Sequence, residues 1–292
     1  PNDLLEKGHI DYICREAINK YGVDPIIAVK AAGHHAARYF LLNNRGAIAP
    51  GYLADFAIID SFESFNVELV YKKGVLTCKN GEVQDFPAPE IDDYLVKRAH
   101  DTFHVAHLSA EDFKDERPRG VIGLVPGEIV STDNGYASSV DVEKDILKIA
   151  VIERHKNTHH IGLGYLQGYG LKRGAVATSI SHDSHNIIVV GTNEEDMACA
   201  ANAIVEHHGG IAVVEDGKLL GGVVLEIAGI MSEESLVTVN EKLERAKELA
   251  FEMGVSRGID PFMTLSFMSL PVIPTLRLTT RGVIDVIKQQ YI

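Results

Sequence analysis

Residues 187–190, Ile-Ile-Val-Val, open the segment that most constrains the fold. Four consecutive apolar, β-branched residues read as a buried strand. Gly191 ends it, and Thr192-x-x-Glu195 forms a capping-box pattern that predicts a helix start. Met197, Ala200, Ala201, Ile204 and Val205 then share one helical face until Gly209-Gly210 stops the helix. A second apolar run at 211–214 completes a βαβ unit, whose two strands are predicted to run parallel with a right-handed crossover. Asp216-Gly217 turns the chain into a further strand at 219–227. A long helix then starts near Ser232, with Leu236, Val239, Leu243, Ala246 and Leu249 on its buried stripe.

The N-terminal part has a different pattern. Apolar residues recur at helical spacing over 10–21 until Gly22, and Asp24-Pro25 supplies an N-cap and first-turn proline for a second helix. Ala28, Ala31, Ala32, Gly33, Ala36 and Ala37 make that helix small-sided, suited to lying close against a larger body. After Gly46, short apolar runs at 56–59, 67–71 and 75–78, with Pro50-Gly51 and Asn80-Gly81 between them, predict a small antiparallel β unit. Pro87 and Pro89 mark an expected linker. A helix is predicted from Asp92 to His107, then strands at 121–125, 146–152 and 176–180. The fold class is therefore mixed α/β, in more than one domain.

With 28 basic and 41 acidic residues, the net charge of −13 repels a phosphate backbone or an anionic membrane surface, so nucleic acid and membrane are not expected partners. The three cysteines are widely separated with no C-x-x-C pair, which disfavours a disulfide framework or thiolate zinc site and points to a reducing cytoplasm. The apolar stretch at 262–276 is broken by Pro271 and Pro274 and is shorter than the ~20 residues of a membrane span.

The candidate chemistry lies directly before the buried strand. Ser181, His182, Asp183, Ser184, His185 and Asn186 gather two imidazoles, a carboxylate and three small polar groups at a strand end, where a rigid scaffold presents functional side chains. His182, Asp183 and His185 are the candidate catalytic residues; Ser181, Ser184 and Asn186 are the candidate substrate contacts. The alternative is a turn in which Asp183 and Asn186 bond nearby backbone and the histidines are satisfied in the interior. His100, His104 and His107 would share one face of the predicted helix, but no carboxylate or thiolate is placed to complete a metal site there. The adjacent pairs His34-His35, His159-His160 and His207-His208 diverge on any regular element. The glycine-rich stretch 162–174 lacks the order of a dinucleotide loop and is expected to be a flexible loop near the active site.

Several runs carry a family resemblance. Asn44-Arg45-Gly46-Ala47-Ile48-Ala49-Pro50-Gly51-Tyr52-Leu53-Ala54-Asp55-Phe56 is similar to the stretch following the catalytic barrel in the amidohydrolase superfamily. Gly162-Leu163-Gly164, residues 168–175, residues 177–187, Leu219-x-Gly221-Gly222 and residues 261–271 resemble the C-terminal region of the adenine deaminase family, from about residue 90 onward.

The resemblance implies residues 1–42 as terminal helices of an incomplete (β/α)8 barrel, 43–88 as part of a small β-sandwich, and 89–292 as the C-terminal mixed α/β domain. It also implies hydrolysis of adenine to hypoxanthine and ammonia in purine salvage, in the cytoplasm, by a protein expected to be a homo-oligomer. The family's divalent metal, manganese, iron or zinc, is held in the barrel by an H-x-H pair, other mid-strand ligands and an aspartate ending the eighth strand. This chain has no H-x-H pair, and Asp3 matches the position after that aspartate. None of its residues is expected to complete a metal site, and exposed apolar surface should favour self-association. Two other functions fit less of the sequence: a different cyclic-amide or N-acyl amidohydrolase, and a non-catalytic purine-binding or assembly module.

Overall fold

A computed structural model describes residues 2–86 and 90–292, in two compact units, Pro1–Glu90 and Ile91–Ile292. The expected linker residues Pro87 and Pro89 lie outside the described residues.

The N-terminal unit holds α1 (Asn2–Glu6), α2 (Ile10–Asn19), α3 (Pro25–Lys30) and α4 (Ala36–Tyr39), with a wider π turn at Ala31–His35 joining the last two. Asp24 caps α3, its side chain accepting from the N–H groups of Ile26 and Ile27 at 2.9 and 3.1 Å. The strands β1 (Phe56–Ile59), β2 (Val67–Lys72), β3 (Val75–Lys79) and β4 (Glu82–Val83) form an antiparallel meander, as the turn residues predicted. Of the small residues on the second helical segment, Ala28 and Ala37 are buried, but Ala31, Ala32, Gly33 and Ala36 are exposed. Ile48 at 91% and Leu41 at 77% are further exposed apolar side chains of this unit. A cleft of about 730 Å³ opens among Ile10, Val29, Ile48, Phe56, Phe62 and Val70.

The C-terminal unit begins with α5 (Asp93–His100) and is built on an eight-stranded sheet. Its strands are β5 (Arg119–Leu124), β6 (Ser131–Ala137), β7 (Ile146–Ile152), β8 (Ile161–Gln167), β9 (Ala175–Thr178), β10 (Ile187–Gly191), β11 (Gly210–Glu215) and β12 (Lys218–Val224). The order is β12-β11-β9-β10-β7-β8-β5-β6; β5 and β8 pair in parallel and the other neighbours antiparallel. Helices α6 (Glu194–Glu206), α7 (Leu236–Glu252) and α8 (Pro261–Met268) complete the unit, with a small sheet of β13 (Leu276–Thr279), β14 (Gly282–Asp285) and β15 (Gln290–Tyr291). β10 and β11 each run antiparallel to β9, so they are parallel to each other, as predicted. They are not neighbours, because β9 is inserted between them.

The strand at 187–190 is continuously apolar because the sheet is covered on both faces. Ile188 and Val190 pack with α7, α8 and the β13–β14 hairpin, while Ile187 and Val189 pack with α6, Phe103 and Phe113. Each such fully buried side chain contributes about 1.5–3 kcal/mol, which makes this layer the anchor for the loop before it.

Local chemistry departs from the sequence pattern at three places. Helix α6 is capped by Asn193, whose Oδ1 accepts from the Asp196 N–H at 2.8 Å, and not by the Thr192-x-x-Glu195 box. Thr192 is engaged elsewhere, its N–H donating to the Gly174 carbonyl at 3.0 Å. Asn193→Ala should therefore cost about 1 kcal/mol, read as a lower urea midpoint; an unchanged midpoint would mean that this side chain is not the cap. The helix predicted over 92–107 stops at His100, because the following segment is drawn into tertiary bonds. The Thr102 carbonyl accepts from Arg154 at 2.8 Å, and the His104 N–H donates to the Arg154 carbonyl at 2.8 Å. His100, His104 and His107 thus share no helical face; His100 meets Glu233 at 3.0 Å and His107 meets Asn202 at 3.3 Å. Finally, the stretch predicted as a flexible loop begins as strand β8. Its glycines serve close packing: a Cβ on Gly162 would fall 1.8 Å from the Thr279 carbonyl oxygen, and one on Gly164 would fall 2.7 Å from Val283.

Candidate functional site

Residues 181–186 form the loop of the β9–β10 hairpin, and the two strands leading into it are buried. The loop spreads its side chains in different directions. Ser181 is fully buried, its hydroxyl bonded to that of Ser269 after α8. The His182 N–H donates to the Ser266 carbonyl at 3.0 Å and its carbonyl accepts from the Ser269 hydroxyl at 3.2 Å, so the loop is stitched along the end of α8. The His182 ring lies 4.8 Å from that of Phe267. Asn186 is 8% exposed, and its Oδ1 accepts from the Arg154 N–H at 3.4 Å.

Asp183 and Ser184 are exposed. With Asn186 they border a cavity of about 370 Å³, closed on other sides by Ser269, Pro271 and Thr280. That volume lies in the range of about 300–1,000 Å³ found for small-molecule pockets. Among the described residues no donor bonds the Asp183 carboxylate, so its lone pairs are available to whatever enters.

His185 is the most constrained member. Its φ is +47°, a left-handed conformation that costs a non-glycine residue free energy. Its N–H donates to the Ser181 carbonyl at 2.6 Å, and its carbonyl accepts from Arg154 Nε. Its ring Nδ1 is buried without a hydrogen-bond partner. Burial, and then the charge of Arg154, pushes the imidazole below its ordinary range. The rings of His182 and His185 are 6.5 Å apart, and His155 Nε2 bonds the Ser184 carbonyl at 2.7 Å.

The six residues singled out in the sequence thus divide. Asp183, Ser184 and Asn186 border the cavity, whereas Ser181 holds the loop to α8, and His182 and His185, expected as catalytic residues, are not among the residues lining it. Sequence reasoning missed Ser269, Pro271, Thr279 and Thr280 on the cavity wall, and Arg154 and His155 beneath the loop. Ser131 and Arg277 help to place the first group. The buried Ser131 Oγ accepts from the N–H groups of Thr275 and Leu276, both at 3.1 Å, and from the Arg277 guanidinium, which fixes the start of β13. A lone arginine in a β-rich stretch gave no sequence signal for that.

A family model for the adenine deaminase C-terminal domain matches residues 127–290, more than half of the chain. The chain belongs to the adenine deaminase C-terminal domain family. Along its whole length it is 41% identical to an adenine deaminase of Kosmotoga olearia, covering 52% of that protein. It is 41% identical over 97% of its length to an adenine deaminase of Dehalococcoides mccartyi, covering 50%, and 40% identical to one of Brucella melitensis, also covering 50%. The chain spans about half the length of the curated relatives it matches. The family domain, as matched, contains the β9–β10 loop, the cavity wall and Arg154. Among the described residues no three His, Cys, Asp or Glu side chains are grouped so as to hold a metal ion. No helix among the described residues is long and apolar enough to cross a membrane.

Proposed function

We propose that this chain is part of an enzyme that hydrolyses adenine to hypoxanthine and ammonia, and that residues 182–186 form its substrate-facing loop over the cavity. The observation that carries the reading is the full-length match, at 40–41% identity, to half of several adenine deaminases. Water adds to the amine-bearing ring carbon and the amine departs as ammonia after taking a proton, so the site must accept one proton and deliver another. Asp183, exposed at the cavity with no donor of its own, suits a hydrogen bond to a purine N–H or a proton held in transit. Ser184 and Asn186 supply both donors and acceptors to the purine edge. The divalent ion that activates water in such a hydrolysis, manganese, iron or zinc, is assigned to residues outside this chain. Three free cysteines support a reducing, cytoplasmic setting for purine salvage. The apolar cleft of the N-terminal unit suits a surface covered by further protein.

The test is turnover. The full-length gene product, supplied with manganese, iron or zinc, is expected to release ammonia from adenine, and this chain alone is expected not to. Hydrolysis of another cyclic amide or an N-acyl substrate, with adenine left intact, would overturn the reading.

A further inference from the structure

Arg154 is a buried cation that no catalytic scheme above uses. Its side chain is 2% exposed, and burial pushes its pKa down to about 10, which still leaves it charged at neutral pH. A buried guanidinium usually finds a carboxylate; here its nitrogens go to main-chain carbonyls of three separate loops. Nη1 donates to the Thr102 carbonyl at 2.8 Å, Nη2 to the Ala228 carbonyl at 2.9 Å, and Nε to the His185 carbonyl. The Phe103 ring lies 4.3 Å from the guanidinium carbon. The β7–β10 ladder pairs Ile152 with Ile187, so Arg154 lies two residues beyond one partner and His185 two residues before the other. Arg154 therefore grips the point at which the two strands separate.

We propose that Arg154 is a positioning residue for His185: by holding the His185 carbonyl while anchored to Thr102 and Ala228, it keeps this residue left-handed and sets where Nδ1 points. The other bonds to the loop hold Ser181, His182, Ser184 and Asn186, so without that grip the His185 main chain keeps, among the described residues, its N–H bond to Ser181, and a non-glycine residue at φ +47° returns to ordinary backbone angles. The fork matters as well as the charge, since a lysine ammonium cannot span three carbonyls on planar, fixed vectors. Arg154 has this role in function only if residues 182–186 face substrate; because the test reads no turnover, the two ideas fail separately.

The titratable and charged groups that act on the His185 ring are Arg154, His182, Asp183 and His155. Glu153 is occupied by the N–H groups of His155, Lys156 and Thr158. In the chain itself, the ring titration of His185 by NMR and amide exchange along the sheet should be measured in Arg154→Met and Arg154→Lys. In Arg154→Met the His185 titration should move up towards the ordinary histidine range. In both variants the His185 amide should exchange about tenfold faster, the loss of one charge-assisted bond, while Ile149 in the middle of β7 keeps its protection. Should these variants fail to fold, Phe103→Leu loosens Arg154 without removing it and should move both readouts the same way, by less. A folded variant whose His185 titration and exchange match the parent would overturn the proposal. So would faster exchange spread evenly over β7 and β10 with the titration unmoved, since that is the behaviour of a purely structural arginine.

Discussion

Replacing Gly162 by alanine should destabilise the C-terminal unit by about 3 kcal/mol, the upper end of what overpacking of a filled core costs. In a unit of this size that corresponds to a fall in Tm of roughly 6–12 °C. The added Cβ would sit 1.8 Å from the Thr279 carbonyl oxygen and 2.7 Å from the Gly282 nitrogen, both main-chain atoms at the turn of the β13–β14 hairpin. No flexible side chain can swing aside, so either β8 or the hairpin must move. The hairpin is tied at its other end through Ser131, which leaves its turn as the part that yields. Thr279 and Thr280 in that turn line the cavity beside Asp183, so the loss of stability should come with a reshaped cavity. Gly258→Ala is the matched control, because its Cβ would meet nothing closer than the Ser256 hydroxyl at 3.5 Å. Thermal unfolding of the two variants side by side decides the matter; Tm values equal to that of the parent in both would mean that the hairpin does not press on β8.

Gly162 also shows why part of the fold was hidden in the sequence. Glycines in a run such as Ile161-Gly162-Leu163-Gly164 weaken strand propensity, and the backbone that requires them arrives more than a hundred residues later. The strand β6, Ser131–Ala137, is polar with a glycine and lies at the sheet edge, paired in the sheet with β5, so no apolar alternation announces it. In contrast β10, α6 and β11 were legible because each carries a strong local pattern, and their parallel sense followed from the intervening helix. The insertion of β9 between them depends on non-local pairing that no local pattern records. The site divides in the same way. That His182, Asp183 and His185 share one loop before a buried strand was readable from their clustering in the sequence. Which of its side chains face the cavity was not, since that is set by Ser269 and by the β13–β14 turn. Arg154, between Glu153 and His155, reads in sequence as one of a run of surface charges; only the register of β7 against β10 places it under the loop.

That division within the loop gives the second large effect. In the full-length protein, Asp183→Ala should lower adenine turnover by about 100-fold or more, the usual contribution of a positioned proton-transfer or charge-stabilising group. Its stability should change by no more than about 0.5 kcal/mol, because an exposed carboxylate without a protein donor contributes little to the fold. His182→Ala should also lose more in turnover than in stability, although its ring contact with Phe267 makes the separation smaller. Ser181→Ala should behave in the opposite way. It removes a fully buried hydroxyl and leaves Ser269 without that partner, a cost of about 1–3 kcal/mol, while the cavity-facing groups remain. Steady-state kinetics and melting curves on the same three variants therefore form a crossed test. If the loop serves only as a turn, Asp183→Ala will leave kcat/KM within a few-fold of the parent, and any change in the three proteins will track their melting temperatures. If it faces substrate, activity and stability will separate across neighbouring residues, with Asp183 carrying the first and Ser181 the second.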